Sequence, residues 1–428
     1  MNFEKQASPT EKLNICVVGS TYPRFQEDEQ VPWLREYVNR MEEIGHNVTV
    51  YAPAYKGLTS HKIDGVTVER FRYAPKVLET LTHDEGATNK VRRSPKALLV
   101  IPYIFFGMIG AFRLARKKNF DIINVHWPFP HGFFGLAMQW INHAPIVSTC
   151  HGAELALGRK LPLVQLVLHW FLNCSQGVTC NSSHTKNEIL KVCDRSVKVI
   201  PYGSSLRSIA QIDKKTDDPE AIPSLLFCGR LIERKGVDIL LRSLPRILEK
   251  KNVQLKITGE GDQKQKWMRL TEELGISKHV HFLGFVSNQE LSVLYQMCDI
   301  YVHPAIFDSR GDTEGLGVVL IEALLNSKPV VASRVGGIID VIKHNRTGLL
   351  VEEKDEEELA DAVLELLEDT KFAESLGKAG RDFALNYFDW DRIIRVNEAY
   401  FYKVRMNQIQ SDLEPCELGS QPVFPTQS

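Results

Sequence analysis

Two short stretches of the sequence set charged side chains between glycines. The first, Gly229-Arg230-Leu-Ile-Glu-Arg-Lys235-Gly236, follows the apolar run Ser224–Cys228 and precedes a helical pattern. A loop at the carboxyl end of a strand can present the guanidinium fork of Arg230 and the ammonium of Lys235 to one diphosphate, because both donate charge-assisted hydrogen bonds to phosphate oxygens. Taken alone, it reads equally as a solvated turn. The second stretch, Gly311-Asp-Thr-Glu314-Gly315-Leu316-Gly317-Val-Val-Leu-Ile-Glu322, holds two glutamates eight positions apart. If a helix begins near Gly315, its free amides point at an anion, with Glu322 on the second turn and Glu314 just outside. Eight helical residues rise about 12 Å, enough to put one carboxylate at a ribose and the other at a sugar, with a diphosphate between them. Carboxylates suit sugar hydroxyls because they are charged acceptors with room for two hydrogen bonds. By itself this stretch also fits a capped helix with one exposed glutamate. The two together, in order and each at a strand-to-helix junction, are more specific than either.

Those junctions need strands and helices to make them. In the first half, Leu13–Gly19, Asn47–Ala52, Val66–Phe71, Ile122–Val125, Ile146–Thr149, Gly177–Thr179 and Val197–Ile200 are short β-branched runs separated mostly by amphipathic segments. The alternation restarts with Ser224–Cys228, Gln254–Thr258, His279–Phe282, Ile300–His303, Pro329–Ala332 and Gly348–Val351, with helices expected over Val237–Lys250, Gln263–Leu274 and Asn288–Met297. Repeated β-α-β units imply parallel sheets, so the fold class is α/β with two Rossmann-like, doubly wound domains. Ligands of such sheets bind beyond the carboxyl ends of the strands, which gives two facing domains a central cleft. The expected boundaries are 1–205 for the first domain, 206–223 for a polar linker, 224–390 for the second domain, 391–409 for a helix crossing back to the first, and 410–428 for a disordered tail.

At 428 residues two domains of about 200 residues are the natural expectation. Hydrophobic content of 43% and charged content of 25% describe an ordinary globular chain, and a net charge of -1 argues against a dedicated nucleic-acid binder. The eight scattered cysteines form no metal-ligand spacing and read as reduced thiols of a cytosolic protein. The polar N-terminus leads directly into a strand, with no signal peptide in front of the fold. One apolar run, Ala97–Phe112, is shorter than the roughly 20 residues of a spanning helix and is interrupted by Pro102, Gly107 and Gly110. Its flanks are basic: Lys90, Arg92, Arg93 and Lys96 before, Arg113, Arg116, Lys117 and Lys118 after. Two readings stand open, a core-facing helix with solvated ends and a helix docked on an anionic membrane face.

The charged stretches, with Gly259-Glu-Gly-Asp262, Phe282-Leu-Gly-Phe-Val286, Cys298-Asp-Ile-Tyr-Val-His-Pro304, Pro329-Val-Val-Ala-Ser333 and Gly336-Gly337, resemble the retaining group 1 glycosyltransferases, family four of the GT-B fold. The resemblance runs from about Leu13 to Tyr402. It implies that Arg230 and Lys235 hold the diphosphate of a nucleotide-sugar donor, that Glu322 holds the ribose and Glu314 the transferred sugar, and that Gly259, Gly315, Leu316 and Gly317 belong to the donor site. It also implies His151, in Ser-Thr-Cys-His-Gly-Ala-Glu, at the donor sugar. A lone histidine at a strand end is otherwise most often simply hydrogen-bonded structure. His126, in Asn124-Val-His-Trp-Pro, is expected on the acceptor side. Many family members carry a Gly-Gly loop after the first strand, whereas this chain reads Gly19-Ser-Thr-Tyr-Pro-Arg24, which puts the usual glycine contacts in doubt. Arg24 is then expected either at an anionic acceptor or in a surface salt bridge.

The family mechanism implies no metal and no cofactor, only the nucleotide-diphosphate sugar. Fixed cations stabilise the leaving group, each worth about 2.7–4 kcal/mol by analogy with oxyanion-hole donors, and the departing phosphate takes the acceptor's proton, so no protein general base is named. The expected acceptor is a glycan or lipid-linked glycan in surface polysaccharide or glycolipid synthesis, met in the cytoplasm or on the inner face of the membrane. Three other functions stay open: a glycosidase using the paired glutamates, which would leave Arg230 and Lys235 without a role; a nucleotide-sugar epimerase on the same fold; and a non-catalytic nucleotide-sugar-binding subunit.

Overall fold

The computed structural model of the chain describes residues 11–28, 30–82, 98–206 and 222–413. Eight strands form the first sheet: β1 (Asn14–Val18), β2 (Asn47–Pro53), β3 (His61–Ile63), β4 (Val66–Phe71), β5 (Ile122–His126), β6 (Ile146–Cys150), β7 (Gly177–Cys180) and β8 (Val197–Val199). Six form the second: β9 (Ser224–Cys228), β10 (Gln254–Thr258), β11 (Val280–Gly284), β12 (Ile300–His303), β13 (Val330–Ser333) and β14 (Leu349–Val351). Every strand expected from β-branched runs is present. The addition is β3, an antiparallel edge strand joined to β4 through Asp64-Gly65, both at positive φ (52° and 87°). An Asp-Gly pair is the two-residue hairpin turn that matches strand twist, so the signal for β3 was in the sequence.

The strand orders are β3-β4-β2-β1-β5-β6-β7-β8 and β11-β10-β9-β12-β13-β14. All pairings except β3–β4 are parallel, and helices cover both faces, which is why the strand interiors are almost wholly apolar. In each sheet the order reverses beside the first strand, between β1 and β5 and between β9 and β12. Loops splay apart there, opening the crevice where such sheets take ligands. The residues just past these switch-point strands are therefore the ones placed for chemistry.

The long C-terminal helix, Trp390–Leu413, returns to the first domain. Trp390, Ile393, Ile394, Phe401 and Val404 pack into the core formed with Ile15, Val17, Leu34 and Val50. Arg40 bonds Asp391 at 2.9 Å, and the Tyr400 hydroxyl accepts from the Val178 amide at 3.1 Å. The helix runs through Leu413, into the segment expected as tail. Residues 414–428, most of the expected linker, and the basic residues Lys90, Arg92, Arg93 and Lys96 lie outside the described residues.

The apolar run forms the helix Val100–Lys117. Pro102 sits in its first turn, where no intrahelical donor is needed. One face carries Tyr103, Gly107, Ala111 and Leu114 into the core, with the Tyr51 hydroxyl donating to the Gly107 carbonyl at 2.6 Å. The opposite face exposes Ile101, Phe105 and Met108. Among the described residues, no helix is long and apolar enough to cross a membrane.

Candidate active site

A cavity of about 410 Å³ opens between the domains, beyond the carboxyl ends of both sheets. Arg230, Lys235, Glu314, Gly315, Leu316, Gly317 and His151, separated widely in sequence, all line it. Hydrogen bonds tie the domains near it: Arg159 donates to the Gly311 carbonyl at 2.8 Å, and Ser183 donates to both carboxylate oxygens of Asp340, through its amide at 2.5 Å and its hydroxyl at 2.6 Å.

The second-domain wall begins where β9 ends. Gly229 leads into Arg230, and a 3-10 turn, Glu233–Lys235, delivers Lys235 just before helix Val237–Lys250. The Lys235 ammonium donates to the Glu314 carboxylate in a buried ion pair. His303, at the end of β12, reaches the same carboxylate oxygen at 3.3 Å, and Arg234 lies 3.9 Å from the other while donating to the Thr313 carbonyl at 2.7 Å. Burial raises the Glu314 pKa, but Lys235, His303 and Arg234 overcome it and hold the carboxyl well below its usual range. For Lys235 burial prevails over the attraction of Glu314, and its pKa is drawn down.

Arg230 differs. It is exposed to the cleft and makes no hydrogen bond or ion pair among the described residues. Desolvation by the walls, then repulsion from Arg234, lowers its pKa.

Backbone packing fixes this wall. Gly259 has φ 117°, and a Cβ there would overlap the Gly229 carbonyl. Gly259 is not among the cavity-lining residues; it lets the β10 end press against the loop that carries Arg230. Gly337 plays the same part for Glu314: its amide donates to the Glu314 carbonyl at 2.9 Å, and a Cβ would overlap the Gly315 carbonyl.

The expected helix start near Gly315 is corrected by the structure. The helix is Val318–Leu325 with Gly317 as its cap at φ 88°. Gly315 and the left-handed cap Gly317 keep residues 314–317 in a non-helical turn, so the free amides lie later than expected. Glu322 stays on the second turn, but its carboxylate accepts from the Tyr295 hydroxyl at 3.0 Å and is not among the cavity-lining residues. Burial, unopposed by any cation, pushes its pKa to about 7. The two glutamates thus do not face each other across a shared space as a glycosidase pair would.

Around His151 the first-domain wall is aromatic and uncharged, while the ion pair of Arg159 and Glu188 lines it further out. Trp33, Trp127 and Tyr202 line the cavity with His151, and Trp33 stacks on Tyr202 with centroids 4.3 Å apart. The His151 Nε2 meets His126 Nδ1 at 3.0 Å, His126 Nε2 meets Asn124 Oδ1 at 2.8 Å, and His151 Nδ1 bonds the Tyr202 hydroxyl. Burial pushes the His126 pKa down to about 3 and His151 well below its ordinary value. His126 lies behind His151, lining a separate small cavity with Tyr37 and Asn124. Arg24 takes a salt bridge, its guanidinium 2.7 Å from Asp28, but the pair is largely buried and not at the surface.

Sequence reading passed over Arg234, His303, Asn181 and Tyr202. Arg234 and His303 sat inside quoted motifs but drew no role, because only the fold reveals that both converge on Glu314. Among the described residues no group of three or more metal-ligating side chains converges.

Residues 33–206 match the family described as Glycosyltransferase Family 4, and residues 208–383 match Glycosyl transferases group 1. The GDP-mannose-dependent alpha-(1-6)-phosphatidylinositol monomannoside mannosyltransferase of Mycobacterium tuberculosis is 27% identical over 396 residues, spanning 89% of this chain and 95% of that protein. The phosphatidyl-myo-inositol mannosyltransferase of Mycobacterium leprae is 30% identical over 65% of this chain and 74% of its own length. Among solved structures, a sucrose-phosphate synthase from Thermosynechococcus elongatus superposes with a TM-score of 0.74 at 20% identity, covering 92% of this chain and 100% of that one, a likeness of fold. With one family match over each domain and the charged stretches meeting in the cleft between them, the chain belongs to the group 1 glycosyltransferases of family 4, enzymes of the GT-B fold.

Proposed function

We propose that this enzyme moves a hexose, with retention of configuration, from a nucleotide-diphosphate sugar to a glycan or lipid-linked acceptor, in cell-surface polysaccharide or glycolipid synthesis on the cytoplasmic face of a membrane. The observation that carries the reading is Arg230, a cation without a partner among the described residues, standing in the cleft beside the buried Lys235–Glu314 pair. A cation left free in a formed cavity is preorganised for an anion that arrives with the substrate.

The chemistry follows from that arrangement. Breaking the bond between sugar and diphosphate develops negative charge on the leaving oxygens. Arg230, Lys235 and the amides at the start of helix Val318–Leu325 stabilise it without reorganising. A diphosphate beside Arg230 competes with Glu314 for Lys235, which frees a carboxylate to accept from sugar hydroxyls. Both ring nitrogens of His151 are engaged, and its low pKa disfavours the proton uptake a base needs. The departing phosphate is then the proton acceptor for an incoming hydroxyl on the same face.

A lipid-linked acceptor is supported by relatives whose names describe transfer to phosphatidylinositol mannosides. The exposed apolar face of helix Val100–Lys117, ending in Arg113, Arg116 and Lys117, suits docking on anionic lipid. The enzyme is expected to sediment with phosphatidylserine vesicles and not with phosphatidylcholine vesicles.

The deciding experiment is a thermal-shift panel of GDP-mannose, UDP-glucose, UDP-galactose and UDP-N-acetylglucosamine, since ligand binding to the folded form raises its apparent stability. One donor should stabilise the enzyme and lose most of that effect in Arg230→Ala. A panel without any shift, or a shift that Arg230→Ala leaves intact, refutes the donor site.

A further inference from the structure

The hydrogen bonds of the first-domain wall form one chain with a definite direction. Its anchor is Asn124, whose Nδ2 donates to the Val147 carbonyl at 3.1 Å. A backbone carbonyl can only accept, so the amide cannot be turned over, and Oδ1 must be the atom facing His126. His126 Nε2 then carries the proton and its Nδ1 accepts from His151 Nε2. That leaves His151 Nδ1 as an acceptor, so the Tyr202 hydroxyl donates to it. With its proton committed, Tyr202 oxygen can only accept, and the Asn181 side chain supplies the N–H.

Asn181 ends the chain. It follows β7, lies in the cavity wall, and is 4% exposed. Its Oδ1 has no hydrogen-bond partner among the described residues. Its amide nitrogen is 3.4 Å from where a Cβ on Gly315 would stand, next to Glu314 on the opposite wall. A buried amide oxygen without a donor costs stability, and at the wall of a cavity a donor from a bound ligand can relieve that cost.

We propose that Asn181 Oδ1 accepts a hydrogen bond from a hydroxyl of the transferred sugar, and that Tyr202, backed by His151, His126 and Asn124, is a positioning residue that keeps the amide turned for it. This rests on the donor-site reading given above and adds a sugar-specificity contact from the first domain. The proximity to Gly315 and Glu314 assigns the hydroxyl to the donor sugar and not to the acceptor.

Dissociation constants for UDP-glucose, UDP-N-acetylglucosamine and GDP-mannose, each set against bare UDP or GDP, isolate the sugar. Asn181→Ala should weaken the sugar nucleotide that the wild type binds best by about tenfold, while leaving the matching bare nucleotide within about twofold. Tyr202→Phe removes the amide's partner but keeps its oxygen, and should give a smaller loss, about threefold, with the same selectivity for the sugar. Equal losses on sugar nucleotide and bare nucleotide, or no loss on either, overturn the proposal. So does unchanged donor binding with transfer abolished, which would place the hydroxyl on the acceptor. Should Asn181→Ala fail to fold, Tyr202→Phe decides by the same comparison. A wild type that binds neither nucleotides nor sugar nucleotides refutes the donor site itself, a result distinct from all of these.

Discussion

On the first-domain side of the cleft, His126 is buried and His151 half-buried among aromatic rings and each other, and both stay neutral. On the second-domain side, Arg230, Arg234, Lys235, His303 and Glu314 crowd into a comparable space, and Glu314 stays charged. Burial disfavours charge on both walls. It wins on the first because no counter-ion opposes it, and loses at Glu314 because three cationic or hydrogen-bonding partners surround the carboxylate. On the proposed reading this is a division of labour: the cations of the second wall would meet the diphosphate, and the uncharged rings around His151 would meet neutral hydroxyls without competing for the anion.

The sharpest break in this comparison is Lys235→Ala. It leaves Glu314 as a buried carboxylate short of its main partner, which should destabilise the fold by about 3–5 kcal/mol. Transfer should also fall by about 100- to 1,000-fold. Chemical denaturation and single-turnover rates read the two effects separately. Arg230→Ala should match it in rate, with a loss of about 100- to 1,000-fold, yet leave the unfolding midpoint unchanged, because Arg230 has no partner among the described residues to abandon. If both variants were equally destabilised, Arg230 would be structural and the second wall would have no free cation.

The architecture was legible because its signals are local. β-branched runs alternating with amphipathic segments mark β-α-β units wherever they occur, and the glycine-framed charges mark the loops at their ends. Arg230, Lys235 and Glu314 could be chosen because diphosphate and sugar chemistry restricts residue type. The Asn181–Tyr202–His151–His126–Asn124 chain could not be read in the same way. Asn124 and His126 share β5, but His151, Asn181 and Tyr202 lie far along the chain, each has a type common in any protein, and only the parallel register of β5, β6, β7 and β8 brings their strand ends together. The helix start was misplaced for a related reason: glycines signal a turn, but which one caps the helix depends on the packing of Gly336 and Gly337 against residues 314 and 315.

Close backbone packing of the same kind governs Gly259→Ala. The new methyl meets the Gly229 carbonyl, and the left-handed backbone is strained for alanine, so a destabilisation of about 1–3 kcal/mol is expected, read as a lower melting temperature. Nucleotide-sugar affinity should fall with it, because the displaced loop is the one that carries Arg230. Unchanged affinity in the destabilised variant would show that the loop holds its place without this contact.

Glu322 tests the rule behind the comparison, because it belongs to the second domain yet behaves like the first wall. Burial raises its pKa from an ordinary 4.5 to about 7, with only the Tyr295 and Ser204 hydroxyls to hold the charge. A raised carboxyl keeps its proton longer in the folded chain. Its contribution to stability is therefore complete below pH 4.5 and is lost as the pH rises through about 7. Nucleotide affinity should run the other way if the family resemblance carries over and ribose hydroxyls reach this carboxylate. Such contacts favour the charged form, so binding would expel a proton below the folded pKa and weaken by about tenfold from pH 8 to pH 6. Glu322→Gln should flatten both slopes while leaving the Arg230-dependent part of the affinity in place. A wild-type affinity that is level across this range, measured by calorimetry in two buffers of different ionisation enthalpy, would mean that the carboxyl does not meet the ribose and that burial alone governs it.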